Sequence, residues 1–480
     1  MNYAIVFRLL GYVLMIEGAL LLLPAAASLV YGEWMVLGVF LLTAAVSAGI
    51  GYALHTIKPR SKVFYMREGF AATSLCWVFI SVMGAVPFVL TGCIPNPVDA
   101  LFETVSGFTT TGASILPGVE DLPKGILFWR SFTHWIGGMG VLVFLLSLLP
   151  LTGGSHVNLM KAESPGPSVG KLVPKVRQTA KYLYIIYFAL TMIEVIFLLF
   201  GGMNLFEALT TSFGTAGTGG FAIWNDGFVS VSPYNQWVVT IFMLLFGVNF
   251  GFYFLILTGK LRDALKFEEV RIYFIIVIAA AVFIFINLRH FALYAPAEGI
   301  RQAFFQVASI ITTTGFATAD YLLWPPLLGL ILFLLLFVGA SAGSTAGGMK
   351  VVRVYLLFKN SFVELKRIIH PNGIINVKYN NKSVHPNIMT GIMAFAILFM
   401  IVFTIGSLIM TIFTEDIITA CSAVVSSMSN VGPGFGSVGP MFSYAHLNDF
   451  AKLFLAFLML VGRLEIFTVM VLFTKAFWRK

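Results

Sequence analysis

Charged residues are scarce in this chain of 480 residues. Asp, Glu, Lys and Arg make up 11% of it and apolar residues 59%, whereas soluble globular domains carry about 25% charged residues. A soluble protein is therefore excluded. Apolar segments of about 18 residues or more recur along the whole length, as bilayer-spanning helices require. The first, over about 5–30, lacks the short apolar core and cleavage site of a removable signal peptide, so we expect it to be retained.

Cysteine is equally rare. Cys76, Cys93 and Cys421 do not have the paired spacing of a metal site, and they give no basis for a disulfide framework. The sequence also lacks a nucleophile triad, a cluster of metal ligands and a phosphate-binding loop, because "GTAGTGG" does not follow a strand of a nucleotide-binding fold. We expect neither an enzyme nor an organic cofactor in this chain.

The net charge of +9 is distributed unevenly between alternate loops. Basic residues cluster at 55–68, 156–181, 260–271, 350–382 and 475–480. The loops between them contain few cations and hold Glu120, Asp121, Asp226, Asp320, Glu415 and Asp416. This alternation follows the positive-inside rule and predicts that both termini and the basic loops lie in the cytoplasm. Because orientation in a lipid bilayer explains the charge, we expect no nucleic-acid partner.

One structural unit recurs four times after two opening spans at about 4–31 and 34–54. It consists of a long apolar helix, a short segment, a glycine-bearing loop and a second long helix. We place the opening helices at 1–68 and the four units at 69–155, 156–265, 266–385 and 386–480. The short segments cannot cross a bilayer, and re-entrant backbone is tolerated there only when it is buried in protein or lines a watery cavity. The sequence therefore predicts an all-α polytopic membrane protein with four pseudo-symmetric repeats around a central pore.

The short segments align on a glycine without gaps. They read "SGFTTTGAS", "TSFGTAGTGG", "SIITTTGFA" and "SSMSNVGPG", and we align them on Gly112, Gly217, Gly315 and Gly432. The upstream stretches "LFETVS", "LFEALTTS" and "AFFQVAS" are alike as well. A period of about a hundred residues that occurs four times indicates internal repetition.

A glycine turn of this kind can bind a cation. Rings of backbone carbonyls replace the hydration shell of K⁺ in channel filters, and glycine reaches the left-handed dihedrals that such a backbone needs. We expect the threonine hydroxyls to satisfy amides that point away from the pore. The C-termini of the half-helices would direct negative partial charge at the ion. Because Ca²⁺ or Mg²⁺ would recruit carboxylates, the pattern favours K⁺ ions in a carbonyl filter.

Four longer motifs resemble a known family. "WRSFTHWIGGMGVLV", "GASAGSTAGGMKVVRV", "ELKRIIHPN" and "VGRLEIFTVMVLF" are similar to the TrkH/TrkG branch of bacterial potassium uptake proteins, whose superfamily includes KtrB. The resemblance covers essentially the whole chain, including the two opening helices. It implies K⁺ uptake across the bacterial inner membrane, a homodimer with one pore per subunit, and a cytosolic nucleotide-binding partner of the TrkA type.

The same resemblance assigns the filter carbonyls. They belong to Thr110, Thr111, Gly112, Thr215, Ala216, Gly217, Thr313, Thr314, Gly315, Asn430, Val431 and Gly432. The second and fourth repeats depart from the threonine pattern with "TAG" and "NVG", and no repeat has the "TVGYG" run of dedicated K⁺ channels. We therefore expect weaker discrimination against Na⁺ or Rb⁺ than in those channels.

The predicted helix 325–358 is interrupted by "GASAGSTAGGMK". Gly339, Gly343 and Gly347 fall at i, i+4 and i+8, which is also the pattern of a small-residue packing face. The glycine density and the added hydroxyls favour a broken helix whose loop crosses the pore below the filter. The family resemblance gives a gating role to this loop, with Gly339, Gly343, Ser344, Thr345, Gly347, Gly348 and Lys350.

Arg463 lies well inside a predicted span. A charge at mid-depth costs roughly 2.5–3.5 kcal/mol on insertion scales and marks a functional site. Since residues i and i+2 of a helix do not face each other, Glu465 is not its partner and should meet another helix. We predict that Arg463 points into the pathway under the filter, opposes cation passage and belongs to the gate, as the resemblance also implies.

Four other polar residues in the spans have simpler interpretations. Arg130, His134 and Trp135 fit an interfacial or packing role better than a proton relay, and Asn249 fits an interhelical hydrogen bond. A carrier that moves K⁺ with H⁺ or Na⁺ through the same filter is the alternative function. Such carriers often have inverted repeats, whereas these repeats are parallel, and the sequence shows no chain of buried acids and histidines.

Overall fold

The computed structural model describes residues 1–58, 65–140, 176–373 and 375–479. Within these ranges the regular secondary structure is helical except for one antiparallel pair of two-residue strands, β1 (Lys378–Tyr379) and β2 (Lys382–Ser383). The predicted all-α class is confirmed. The end of the predicted helix 128–150 and most of the basic loop 156–181 lie outside the described residues.

The opening helices form a tight hairpin. They are α1 (Tyr3–Leu20), α2 (Leu22–Val30) and α3 (Trp34–His55), and the first two make one span of 28 residues. Side chains at Gly11 and Gly51 are impossible because an added Cβ would approach the backbone of the facing helix too closely. Glycines at a helix crossing allow two backbones to pack directly in a membrane, where the hydrophobic effect does not drive association.

Each repeat begins with a helix long enough to cross a bilayer. These helices are α4 (Met66–Leu90), α7 (Val176–Phe200), α12 (Glu268–His290) and α16 (Pro386–Met410). Together with the opening pair, the described residues contain six helices whose length and hydropathy suit a span. The first helix of every predicted unit is thus present.

A short helix follows in each repeat. The four are α5 (Pro97–Phe108), α8 (Leu205–Gly217), α13 (Pro296–Ile311) and α17 (Ile417–Ser429). With 12 to 16 residues and a rise of about 1.5 Å per residue they cannot span a bilayer. Asn96, Asn204 and Asp416 cap three of them by accepting backbone N–H groups, because the first N–H groups of a helix lack intrahelical partners.

In repeats 2 to 4 the second long helix is interrupted, which the sequence predicted only for 325–358, and in repeat 1 the described helix ends at Gly138. The segments are α6 (Lys124–Gly138), α9 (Pro233–Phe246), α10 (Phe250–Leu257), α11 (Leu261–Leu265), α14 (Pro326–Val338), α15 (Val351–Ile369), α18 (Asp449–Arg463), α19 (Ile466–Met470) and α20 (Lys475–Trp478). The prediction of continuous helices at 235–258 and 447–474 was wrong, since these bend by 87° and 114°.

Tertiary contacts explain these breaks. The N–H of Phe250 donates to the carbonyl of Gly343 (2.9 Å), which belongs to another repeat. Asn249 accepts the N–H of Gly251 (2.8 Å) and caps α10. Its side chain also interacts with that of Glu269 in α12, which is the interhelical contact expected from the sequence. Glu465 adopts a positive φ of 59° at the second break. Apolar sequence alone does not reveal that a neighbouring loop will take over helix hydrogen bonds.

Candidate ion-binding turns and the loop beneath them

The four short helices α5, α8, α13 and α17 all end in the same backbone turn. The first residue of the turn has a left-handed φ of 54–57° and is Thr110, Thr218, Thr313 or Asn430. Two residues later stands a glycine with φ of 78–98°, namely Gly112, Gly220, Gly315 or Gly432. Left-handed φ values are uncommon for residues other than glycine, so four such turns at four helix ends are one motif used four times.

The hydrogen bonds of the turns repeat as well. The N–H of the middle residue donates to the carbonyl five positions earlier, in the pairs Thr111–Ser106, Gly219–Gly214, Thr314–Ser309 and Val431–Ser426 (2.8–2.9 Å). Helix carbonyls satisfy these amides. A threonine hydroxyl accepts a backbone amide, as expected, at Thr313, from the N–H of Gly347 (2.7 Å). The hydroxyls of Thr109 and Thr111 instead pair with each other (2.8 Å).

The four turns close into one ring. A Cβ added to each turn glycine would overlap the carbonyl oxygen of the middle residue in the next turn, in the order Gly112 on Gly219, Gly220 on Thr314, Gly315 on Val431, and Gly432 on Thr111. The last contact returns to the first turn. This turn ring, residues 110–112, 218–220, 313–315 and 430–432, therefore requires glycine four times, for φ and for space.

The ring corrects the register of the second repeat. Thr215, Ala216 and Gly217 form the last turn of α8, and the residues equivalent to the other three turns are Thr218, Gly219 and Gly220. The alignment chose Gly217 because "TAG" resembles "TTG", whereas α8 extends through Gly217 and the turn begins only at Thr218. The nine residues that we selected in repeats 1, 3 and 4 do lie in the ring.

A cavity of about 120 Å³ opens at the ring. All four turn glycines line this mouth cavity, together with residues that follow them such as Ala113 and Phe316. Each of the four short helices has its C-terminus directly before its turn of the ring. Helix C-termini carry negative partial charge, so four dipoles converge where the turn backbones meet.

A buried ion pair supports the first turn. Arg130 donates to the Glu103 carboxylate (2.6 Å), and its side chain and that of Glu103 are 4% and 0% exposed. Glu103 also accepts the N–H of Ile115 (2.9 Å), while Arg130 donates to the carbonyl of Ala222 (2.8 Å). Arg130 thus connects the segments that leave turns 1 and 2, a role that spacing along the chain could not reveal.

His134 and Trp135 are also packing residues. The Nε2 atom of His134 accepts the N–H of Phe221 (3.2 Å), so its Nδ1 carries the proton and donates to the carbonyl of Gly107 (2.8 Å). The His134 ring occupies the space that a Cβ on Gly219 would need. Trp135 donates to Thr191 (3.3 Å). Both side chains therefore join packed segments of the fold.

Residues 339–350 form an irregular loop between α14 and α15. Gly339, Gly343, Gly348 and Lys350 have φ of 70–78°, so the alternative of a helical small-residue face is wrong and the predicted broken helix is present. The N–H of Gly347 donates to the Thr313 hydroxyl of the ring (2.7 Å). The 339–350 loop therefore lies directly against the helix side of the turns.

Arg463 holds the 339–350 loop in place. It donates to the carbonyl of Thr345 (2.8 Å) and to the carbonyls of Gly137 (2.5 Å) and Gly138 (2.7 Å) at the end of α6. It also lines a cavity of about 160 Å³, the loop cavity, with Ser344 and Gly347. Arg463 thus connects the 339–350 loop to the end of α6.

Two acidic residues complete these contacts. Glu465 forms an ion pair with Arg353 of α15, as expected for a residue that faces another helix. Glu269 of α12, which the sequence did not single out, accepts the N–H of Ala342 in the 339–350 loop (2.6 Å). Its position at the start of a span resembled a simple helix N-terminal acid, so only the fold could reveal this contact.

Comparison with known proteins decides the family. The family described as cation transport protein, TrkH, matches residues 38–480. The Trk system potassium uptake protein TrkH of Salmonella typhimurium is 37% identical, with both chains covered completely. This chain belongs to the TrkH family. The family consists of transporters and not of enzymes, as expected.

Other relatives agree. The Trk system potassium uptake protein TrkG of Escherichia coli is 31% identical over 99% of this chain and 98% of its own. The crystal structure of the potassium transporter TrkH from Vibrio parahaemolyticus has a TM-score of 0.90 at 32% identity and covers both chains completely. The resemblance found in the sequence is therefore confirmed, as is a helical membrane fold.

Proposed function

We propose that this chain takes up potassium across a bacterial inner membrane through the turn ring, which acts as a backbone-carbonyl filter. This proposal rests on one observation. The four turns have the same backbone conformation, and each contacts the next so that they close into a ring. Carbonyls held around one axis replace the water that an ion loses on entry. The relatives named as potassium uptake proteins support K⁺ as the ion.

The chemistry of the turns supports a monovalent ion. The twelve ring residues are threonine, glycine, asparagine and valine, so no carboxylate is available, whereas Ca²⁺ sites normally use several. With Thr218, Gly219 and Gly220 in the second turn, the filter residues are those of the turn ring. We keep the expectation of modest discrimination against Na⁺ or Rb⁺.

The 339–350 loop and Arg463 act as the gate in this proposal. The loop lies under one side of the filter, and Arg463 adds a positive charge to the loop cavity. A fixed cation in a narrow pathway opposes the passage of another cation. The proposal includes cytoplasmic termini, a homodimer and a TrkA-type nucleotide-binding partner, which follow from the charge pattern and the family resemblance.

Gly315→Ser tests the filter. Its φ is 84° and a new Cβ would overlap the Val431 carbonyl, so we expect loss of growth of a K⁺-uptake-deficient bacterium on limiting K⁺ and loss of ⁸⁶Rb⁺ uptake in proteoliposomes. Gly202→Ser is the matched control, because Gly202 has φ of 86° and no atom within 4 Å of the added Cβ. Full uptake by Gly315→Ser would contradict the filter.

The alternative of coupled transport has its own test. In the same proteoliposomes, uptake through a gated pore follows the K⁺ gradient and the membrane potential alone. A K⁺/H⁺ or K⁺/Na⁺ symporter would instead require a pH or Na⁺ gradient. We expect uptake to persist when both of these gradients are removed.

A further inference from the structure

The 339–350 loop makes one hydrogen bond to the turn ring among the described residues. The donor is the N–H of Gly347 and the acceptor is the hydroxyl of Thr313, 2.7 Å away. Both residues are buried, and Thr313 is 0% exposed. Thr313 thus contributes its backbone to the filter and its side chain to the loop.

The other turns use the equivalent side chain differently. The Thr218 hydroxyl donates to the carbonyl of its neighbour Gly217 (2.6 Å). The Asn430 amide donates to the Thr111 hydroxyl (3.0 Å) and to the Met459 carbonyl (2.9 Å). The Thr110 hydroxyl has no hydrogen-bond partner in the part of the chain that the structure describes. The bond to the loop is therefore specific to the third repeat.

The packing around Gly347 restricts how the 339–350 loop can move. A Cβ on Gly347 would overlap the carbonyl of Ser429 and lie 3.0 Å from the Cβ of Asn430. Gly347 is thus wedged between turns 3 and 4, and only a glycine fits. The loop cannot move away from the filter without breaking the bond to Thr313.

We propose that Thr313 is a positioning residue that latches the 339–350 loop to the filter, so that ion occupancy and gate position are coupled. An ion bound by the turn carbonyls stabilises the left-handed conformation of Thr313, which aims its hydroxyl at Gly347. Linkage requires the reverse effect as well, so opening of the loop weakens ion binding. The inference rests on the proposed filter and gate.

Matched substitutions separate the latch from a general need for a filter hydroxyl. Thr313→Val removes the acceptor, Thr313→Ser keeps it, and Thr110→Val removes a hydroxyl from the same backbone conformation (φ 56° against 57°). In proteoliposomes we expect ⁸⁶Rb⁺ flux through Thr313→Val to exceed that through Thr110→Val by roughly two- to tenfold, the range for one hydrogen bond. Flux through Thr313→Ser, which keeps the acceptor, should stay below that through Thr313→Val.

A second measurement reports the accessibility of the 339–350 loop. Ser344 is half-buried and lines the loop cavity, so Ser344→Cys allows labelling by a membrane-impermeant thiol reagent, with the labelling of the three native cysteines subtracted. We expect K⁺ to slow labelling of Ser344→Cys relative to choline. Addition of Thr313→Val should raise the rate and abolish the K⁺ effect.

The two proposals fail in different ways. Equal fluxes in Thr313→Val and Thr110→Val, or a K⁺ effect on labelling that survives Thr313→Val, would overturn the latch. If Gly315→Ser still abolishes uptake in that case, the filter stands without the latch. Uptake by Gly315→Ser would overturn the filter instead.

Discussion

The turn ring and the layer directly beneath it differ in symmetry. In the ring, four repeats share φ values, hydrogen bonds and glycine contacts, although their sequences range from "TTG" to "NVG". Beneath the ring, the structure differs from repeat to repeat. In the first, α6 ends at Gly138, and in the second the chain bends between α9 and α10. The third has the 339–350 loop, and the fourth supplies Arg463. The proposed function accounts for this difference, since an ion needs similar ligands on all sides, whereas a gate needs only one element that moves.

The largest effect on uptake should come from substitution of any of the turn glycines of the ring. Gly112→Ala, Gly220→Ala and Gly432→Ala each place a Cβ on a neighbouring carbonyl at positive φ. Backbone strain of this kind costs on the order of 1–3 kcal/mol, and we expect ⁸⁶Rb⁺ uptake to fall about tenfold or more in all three. Normal uptake by Gly220→Ala alone would contradict the corrected register of the second repeat.

An intermediate effect on flux is expected for a substitution in the layer directly beneath the ring. Arg463→Ala removes hydrogen bonds to three carbonyls and the positive charge of the loop cavity, so K⁺ flux should rise several-fold, because the proposed gate loses both a restraint and a repelling charge. The measurement is the K⁺ flux of the purified variant in proteoliposomes. Arg463→Lys is the control and should stay closer to the original flux. Unchanged flux in a folded Arg463→Ala variant would remove Arg463 from the gate.

The smallest effect concerns the cap of the fourth short helix. Partial burial alone would raise the pKa of Asp416, but hydrogen bonds from the hydroxyl and N–H of Thr419 outweigh it and hold the pKa below its usual range. Its ionised form therefore adds stability above the unfolded-state pKa, and this is lost as pH falls through the folded-state pKa. Thermal unfolding between about pH 6 and pH 3 measures the loss.

Two substitutions sharpen that measurement. Asp416→Ala should lower stability by about 0.5–2 kcal/mol, the usual cost of removing an N-cap. Asp416→Asn keeps an acceptor, as Asn204 does in the second repeat (2.9 Å to the N–H of Glu207), and should abolish this component of the pH dependence. A pH profile identical to that of the unsubstituted protein would show that Asp416 does not contribute.

Much of the fold and part of the site could be predicted from the sequence. Apolar length predicted the first helix of each repeat, and the glycine alignment found three of four turns. The second turn was missed by three residues because α8 extends to Gly217. The role of Arg130 was missed because its partners, Glu103 and Ala222, lie far apart in the sequence.

By itself, the sequence determined that this chain lies in a membrane, and it predicted a unit of helix, short segment and glycine-bearing loop that recurs four times. These features follow from local physics, namely apolar length and the φ values open to glycine. Only the tertiary structure decided which carbonyl faces which glycine, where the second helices break, and that Arg463 and Thr313 meet the 339–350 loop. Such contacts join residues from different repeats, and their energies depend on distances that a linear order of residues does not contain.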